Sequence, residues 1–252
     1  MTDFAEPFLL RLKRCADLGA AEEKAVRYLV RDIRRLPADQ DLKAHGQATD
    51  LVHVVLDGLA CRAKLLPDGR RQIVAFLIPG DPCDLQVFLL SRMDHTLFTL
   101  APSTVAVVPR AEIEALLAEY PLLQRAFWVS TLFDEAVLRE WLLNIGRRDA
   151  YERIAHLLCE LFLRHKLVNR VNGQSFQLPL TQAQIADALS LSAVYVNRTL
   201  QRLRAAGVLE IGQGRVSILK PDELDAIAGF DDDYLHLNGG SVRAAPLLGH
   251  SA

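Results

Sequence analysis

The sequence predicts an α+β chain: an N-terminal antiparallel barrel or jelly roll, a long central helical region and a C-terminal winged helix-turn-helix. Three observations predict it. Between residues 30 and 108 short apolar stretches alternate in the manner of strands and are separated by Gly and Pro turns, the pattern of a small all-β unit. From Arg110 to Asn144 the period becomes that of a helix, with one break at Pro121. Residues 180–207 then carry two short helical patterns joined by a tight Ser190-Leu191-Ser192 step.

Length and composition agree with two domains. The chain has 252 residues, half of them hydrophobic, and exceeds the usual ~100–200 residues of one domain. The apolar run Ile73 to Ile78 falls well short of the ~20 residues that span a membrane. The opening Met1-Thr2-Asp3-Phe4 is unlike a basic-then-apolar leader, so a cytoplasmic location with no membrane partner is expected. Cys15, Cys61, Cys83 and Cys159 are scattered without CxxC spacing and read as reduced structural thiols.

In the first half the strand candidates are Leu51 to Leu56, Leu59 to Leu66, Arg71 to Ile78 and Thr104 to Val108. Asp57-Gly58 and Asp68-Gly69 supply hairpin turns, and Pro79-Gly80-Asp81-Pro82 breaks the pattern. In the helical region Phe133, Val137, Trp141 and Ile145 recur every four residues, and Leu138 and Leu142 widen the stripe. Such a face needs a partner; part of it packs on the chain's own barrel.

The helix-turn-helix has its start and stop signals in the sequence. Thr181 and Gln184 form a capping box, and Ile185, Ala186 and Leu189 make the first buried stripe. Ser192 starts a second helix in which Val196, Leu200 and Leu203 share one face, and Gly207 stops it. At about 100° per residue, Val194, Arg198, Gln201, Arg202 and Ala205 point the other way, and that face lacks acids. Val208 to Ile211 and Arg215 to Leu219 flank Gly212-Gln213-Gly214 as a wing. From Arg147 to Lys220 there are eleven Lys and Arg against five Asp and Glu, in a chain of net charge −2. The cations are concentrated where a phosphate backbone would be met.

These residues resemble the Crp/Fnr bacterial transcription regulators, most closely over 147–220 and more weakly, in order and length, over 20–146. Gly146-Arg147-Arg148-Asp149-Ala150 with Glu152-Arg153-Ile154-Ala155 looks like the family's hinge and first DNA-domain helix. Leu180-Thr181, Ile185-Ala186, Leu189 and Val196-Asn197-Arg198-Thr199-Leu200 is close to its helix-turn-helix pattern. The resemblance implies a double-stranded β-helix of cyclic-nucleotide-binding type over 1–109 and a dimerisation helix over 110–146. It further implies a winged DNA-binding domain over 147–229, and 230–252 reads as a flexible tail. Phe133, Val137, Leu138, Trp141, Leu142 and Ile145 are then the expected dimerisation residues. A homodimer would read an inverted repeat in double-stranded DNA, with half-sites about 34 Å apart, and RNA polymerase is an expected partner.

Arg198 leads the expected base contacts, because its planar fork matches guanine O6 and N7 and it aligns with the arginine the family places on a base. Val194 departs from the family's common glutamate and offers only apolar contact, for instance to a thymine methyl. Tyr195, Asn197 and Gln201 join them as candidates for a base edge, with phosphate contact the commoner fate of such groups. Thr181, Ser192, Arg202 and Arg215 are assigned to phosphates, Thr181 and Ser192 alternatively to helix caps.

The signal is less legible. Cyclic-AMP-binding relatives carry Gly-Glu followed about ten residues on by Arg-Ser or Arg-Thr; this chain has Gly80-Asp81 and then Met93-Asp94-His95. An aspartate there repels a phosphate and Pro82 lacks an amide donor, so cyclic-nucleotide control is not expected, although Arg92 lies one residue away and a gap would move it into place. With Cys15 alone near the N-terminus, neither is an iron-sulfur cluster, and no cofactor is assigned. Haem, redox or small-molecule control through His53, His95, Cys61 or Cys83 stays open, although such histidines are more often packed than ligating. A cupin-like metalloenzyme would want an HxH pair, which His45, His53 and His95 do not make. A module binding a protein partner is the other alternative, against which the cationic surplus argues. No catalytic triad or phosphate loop is present, so an enzyme is not expected.

Overall fold

A computed structural model of the chain describes residues 3–237 apart from 49, 84 and 86–89. Two helices precede the strands: α1 (Glu6–Lys13), with Pro7 in its first turn and Phe8, Leu9 and Leu12 buried, and α2 (Ala20–Leu29). The expected β-domain therefore begins with helix. Seven strands follow: β1 (Ile33–Leu36), β2 (Asp41–Lys43), β3 (Leu51–Asp57), β4 (Ala60–Leu65), β5 (Arg71–Leu77), β6 (Thr96–Thr99) and β7 (Ser103–Pro109). They form two antiparallel sheets, β1-β7-β3 and β2-β6-β4-β5. Strand β3 is buried along nearly its whole length because both of its faces are covered. Val52, Val54 and Leu56 meet the apolar side chains of α1, α2 and the helices after the barrel, whereas Val55 turns toward Ala60, Leu77 and Leu97 inside it.

Pro121 divides the helical region into α3 (Arg110–Glu119) and α4 (Pro121–Arg147). The C-terminal part holds α5 (Ala150–Leu167), β8 (Val171–Asn172), β9 (Ser175–Gln177), α6 (Gln182–Leu189), α7 (Ala193–Ala205), β10 (Leu209–Gly212), β11 (Arg215–Ile218) and α8 (Pro221–Ala228). Asp149 caps α5, accepting from the amides of Tyr151 (2.7 Å) and Glu152 (3.0 Å) while the Glu152 carboxylate accepts from Asp149 N at 2.8 Å. One apolar cluster runs from Cys61, Ile73, Phe76 and Phe98 of the barrel through Trp141 to Leu157, Ile185, Leu189 and Leu203. The two parts thus share a core. Among the described residues no helix is long and apolar enough to cross a membrane.

Two expectations change. Trp141 is only 4% exposed: its ring meets Phe76 edge-on at 5.6 Å and its Nε1 donates to Glu160 at 2.9 Å. Phe133 and Val137 lie on the same inward side, half-buried, Phe133 stacked on His236 at 5.0 Å. Of the expected stripe, Leu138 and Leu142 are exposed on the outward side of α4, where Trp128, Leu132 and Leu143 join them, while Ile145 is half-buried. The four-residue period correctly marks an apolar face, but aromatic bulk there is consumed by the chain's own core. The second change is at the C-terminus. Residues 230–237 dock: a 3-10 turn at Asp233–Leu235 buries Leu235, Tyr234 donates to Glu160 (3.2 Å), and Arg14 donates to the Leu235 carbonyl (2.7 Å). The remainder of the expected tail, 238–252, lies outside the described residues.

Two buried histidines of α5 tie stability to pH. Burial, reinforced by Arg148, pushes His156 down to about 3, and burial pushes His165 down to about 4 although its ring donates to the Leu161 carbonyl. Both stay neutral in the folded chain, whereas unfolded histidine titrates near ~6.5. Below that pH the unfolded state binds more protons, so the stability present above ~6.5 is lost as pH falls toward ~4, each histidine contributing up to about 1.4 kcal/mol per pH unit. Urea unfolding at stepped pH will show this decline, and His156→Phe will make it shallower.

Candidate nucleic-acid interface

The interface is built from local signals. Thr181 caps α6: its Oγ1 accepts from Gln184 N at 3.2 Å, and the Gln184 side chain accepts from Thr181 N at 2.9 Å. Ser190 ends α6 in the left-handed region at φ 53° and lets the chain reverse at once. Ser192 opens α7, its hydroxyl accepting from Tyr195 N at 3.2 Å. Thr181 and Ser192 therefore serve as caps, with the cap bond using their oxygen as acceptor and leaving each O–H able to donate. Val196, Thr199, Leu200 and Leu203 are buried beneath α7. Gly207, at φ 65°, follows the last turn.

The opposite face is open. Val194 is 74% exposed and Tyr195 54%, and Arg198, Gln201 and Arg202 are exposed beside them. Asn197 is half-buried at the edge of this face. The structure thus brings Val194, Tyr195, Arg198 and Gln201 onto one surface and sets Asn197 at its margin. Arg202 is partly spoken for: its guanidinium stacks 3.9 Å from the Tyr151 ring of α5, a cation–π contact that holds it in place.

The wing is a tight hairpin in which Gly212 pairs with Arg215 across Gln213-Gly214. Both loop residues have positive φ, 52° and 71°, as the favoured two-residue turn requires. Strand β9 pairs with β11 and brings β8 with it, so the wing belongs to a four-stranded sheet, β10-β11-β9-β8. With its side-chain amide oriented so that the nitrogen faces the Gly214 carbonyl, Gln177 of β9 donates there (3.0 Å) and accepts from Arg215 (2.8 Å). The β8–β9 hairpin was not legible in the sequence, since its strands have two and three residues.

Electrostatics favour an anionic partner. Between Thr181 and Gly207 the one acid is Asp187, and it is neutralised by Arg71 of the barrel at 2.7 Å. The cationic Arg198, Arg202, Arg204 and Arg215 remain exposed around α7 and the wing. An exposed helix that is free of acid on its outer face, of a thickness the major groove admits, and flanked by a cationic wing is the apparatus of a DNA-binding transcription regulator.

Comparison with known proteins agrees. Residues 152–227 match the Crp-like helix-turn-helix domain, and residues 33–120 match the cyclic nucleotide-binding domain. The nitrogen fixation regulation protein FixK of Bradyrhizobium diazoefficiens is 32% identical over 85% of this chain and 89% of its own. The transcriptional activator protein FnrL of Cereibacter sphaeroides is 30% identical over 84% of this chain and 87% of its own. The solved structure of FixK2 from Bradyrhizobium japonicum superimposes with a TM-score of 0.70 at 26% identity, covering 77% of this chain and 96% of that one. The chain belongs to the Crp/Fnr family of transcription regulators, which are not enzymes.

The cyclic-nucleotide site that the N-terminal match implies does not fit these residues. Asp81, which follows Gly80 as the family's glutamate follows its glycine, is buried and accepts from Arg11 (2.6 Å), Arg164 (2.6 Å) and the amide of Ile78 (2.9 Å). Gly80 has φ 94°, and a Cβ on it would lie 2.5 Å from the Pro7 carbonyl of α1. Its backbone is covered by the chain itself. Asp94, hydrogen-bonded by His95 and then Lys64, is held at about 2 and keeps its negative charge. His53, His95, Cys61 and Cys83 do not converge either: the group of three acidic or ligating side chains found among the described residues is the exposed Asp231-Asp232-Asp233.

Proposed function

We propose that the protein acts in the cytoplasm as a homodimer that reads an inverted-repeat promoter site and engages RNA polymerase there, without control by cyclic nucleotides. The observation that carries this reading is the pairing of two open surfaces, the α7 face and the outward stripe of α4. Trp128, Leu132, Leu138 and Leu142 expose a row of large apolar side chains along one helix, and a second copy of the same helix is the natural cover. Two α7 helices related by that two-fold axis would meet successive major grooves about 34 Å apart. Arg198 takes a guanine edge, Val194 offers its methyls to a thymine, and Tyr195, Gln201 and Asn197 complete the base-facing set. Arg202, Arg215 and the hydroxyls of Thr181 and Ser192 take phosphates. FnrL's name as an activator supports RNA polymerase as the protein partner.

A second reading attaches to a cavity of 560 Å³ between the barrel, α4 and the docked C-terminus, lined by Arg14, Arg62, Lys64, Phe133 and Val137 among others. Arg62 and Lys64 are paired with the lining acids Asp134 and Asp94, which leaves Arg14, set over the Phe133 ring, as the cation that a small acid with an apolar body would meet. Thermal unfolding separates the two: an aromatic carboxylate that raises the midpoint supports a ligand in the cavity, and cyclic AMP is expected to leave it unchanged.

The DNA roles are separable by mutation. Arg198→Ala is expected to lose about 1–3 kcal/mol of discrimination between specific and random duplexes, while Arg215→Ala weakens both alike and lowers the salt slope; quantitative gel shifts at several salt concentrations check both. Leu142→Asp is expected to shift the protein from dimer to monomer in sedimentation and to abolish inverted-repeat binding. An unchanged mass overturns the pairing through α4.

A further inference from the structure

The helix-turn-helix does not hang free of the barrel. Its turn and first helix are gripped by the start of β5. The Arg71 guanidinium donates through Nε (2.9 Å) and lies within 2.7 Å through Nη2 of one Asp187 carboxylate oxygen on α6. Arg71 is itself held over the Phe98 ring, 5.1 Å from its centroid. The next residue, Gln72, donates from Nε2 to the Ala188 carbonyl of α6 at 2.9 Å and accepts through Oε1 from the Ser190 hydroxyl at 2.9 Å. Ser190 is the left-handed residue on which the chain turns into α7. Beneath these polar contacts Ile73 of β5 shares the apolar cluster with Ile185, Ala188 and Leu189.

We propose that Arg71 and Gln72 are positioning residues for operator binding. By holding Asp187, Ala188 and Ser190 they set the angle at which α7 leaves each subunit, and so the separation of half-sites that a dimer accepts. The physical reason is geometric. Each base pair inserted between half-sites moves the second one by about 3.4 Å and turns it by about 35°, a displacement that a helix clamped at its turn cannot follow and a hinged one can. The two contacts are of different kinds, a charge pair and a neutral amide fork, so the clamp resists both sliding and rotation of α6 on the sheet. The inference rests on the two-fold reading above, and it assigns no base contact to either residue.

The test uses the full chain and duplexes recovered from a random-sequence library by the wild-type protein. The recovered half-sites are then resynthesised with spacers lengthened and shortened by one and two base pairs. Wild type is expected to prefer one spacing by about tenfold or more. Arg71→Ala combined with Gln72→Ala is expected to bring the spacings within about threefold of one another while leaving the base preference of each half-site intact. Ser190→Gly keeps the left-handed turn, which glycine adopts freely, removes only the Gln72 hydroxyl bond, and is expected to flatten the profile in part. Arg71→Asp is expected to flatten it as well, and Arg71→Asp with Asp187→Arg to restore it, a rescue that a merely destabilised fold would not give. A spacing profile unchanged in the double alanine variant, or not restored by the charge swap, overturns the inference alone. Recovery of unpaired half-sites by wild type overturns the two-fold reading and the inference with it.

Discussion

The structure turns on a buried carboxylate, Asp81, held between two guanidiniums. Arg11 reaches it from α1 and Arg164 from α5, each at 2.6 Å. The chain of alternating charge continues outward, Arg164 to Glu160 at 3.0 Å and Arg11 to Asp134 of α4 at 2.5 Å. Burial alone would favour the neutral acid at Glu160, which is fully enclosed and pushed up from the usual carboxylate range. The Trp141, Tyr234 and Arg164 donors answer that cost in part. Breaking such a network on one side leaves an uncompensated charge, typically at a cost of about 3–5 kcal/mol. Its members come from the first helix, the loop after β5, the central helix, the first helix of the DNA-binding part and the docked C-terminus.

That arrangement ties the β-roll to the DNA-binding part. Asp81, next to the tightly covered Gly80, is held by an arginine of the DNA-binding part. Arg164 of α5 and Arg11 of α1 meet on Asp81, so the β-roll and the DNA-binding part are joined by a buried charge network. The apolar cluster running from Phe76 through Trp141 to Leu189 carries the same message in different chemistry. Through all this packing the outer face of α7 stays exposed, because α6 and α5 supply the covering contacts on its inner side.

Much of the nucleic-acid surface was legible in the residues themselves. Thr181 and Gln184 mark a helix start three residues apart, Val196, Leu200 and Leu203 mark its successor's buried side, and Gly207 marks the stop. Each signal acts within one or two turns. Strands β3, β4, β5 and β7 were legible for a similar reason, being six or seven residues long and bounded by turns. The three- and four-residue strands β1, β2 and β6 were not, since strands so short owe their existence to partners far along the chain. Helices α1 and α2 also escaped a reading that looked for alternation.

The amino-acid sequence by itself determined the class of the protein and the exposed, acid-free face of α7, because caps, helical period and side-chain charge are local properties. Only the tertiary structure decided which side of α4 faces outward. Trp141 and Leu142 are neighbours and equally apolar, yet one is 4% exposed and the other 74%. Their fates depend on Phe76, Glu160 and the returning C-terminus, and hydrophobic burial does not distinguish one side of a helix from another until those partners are in place. The same holds for Asp81 and Arg11, seventy residues apart, whose charges are visible in the sequence but whose pairing exists only after the fold has removed them from water.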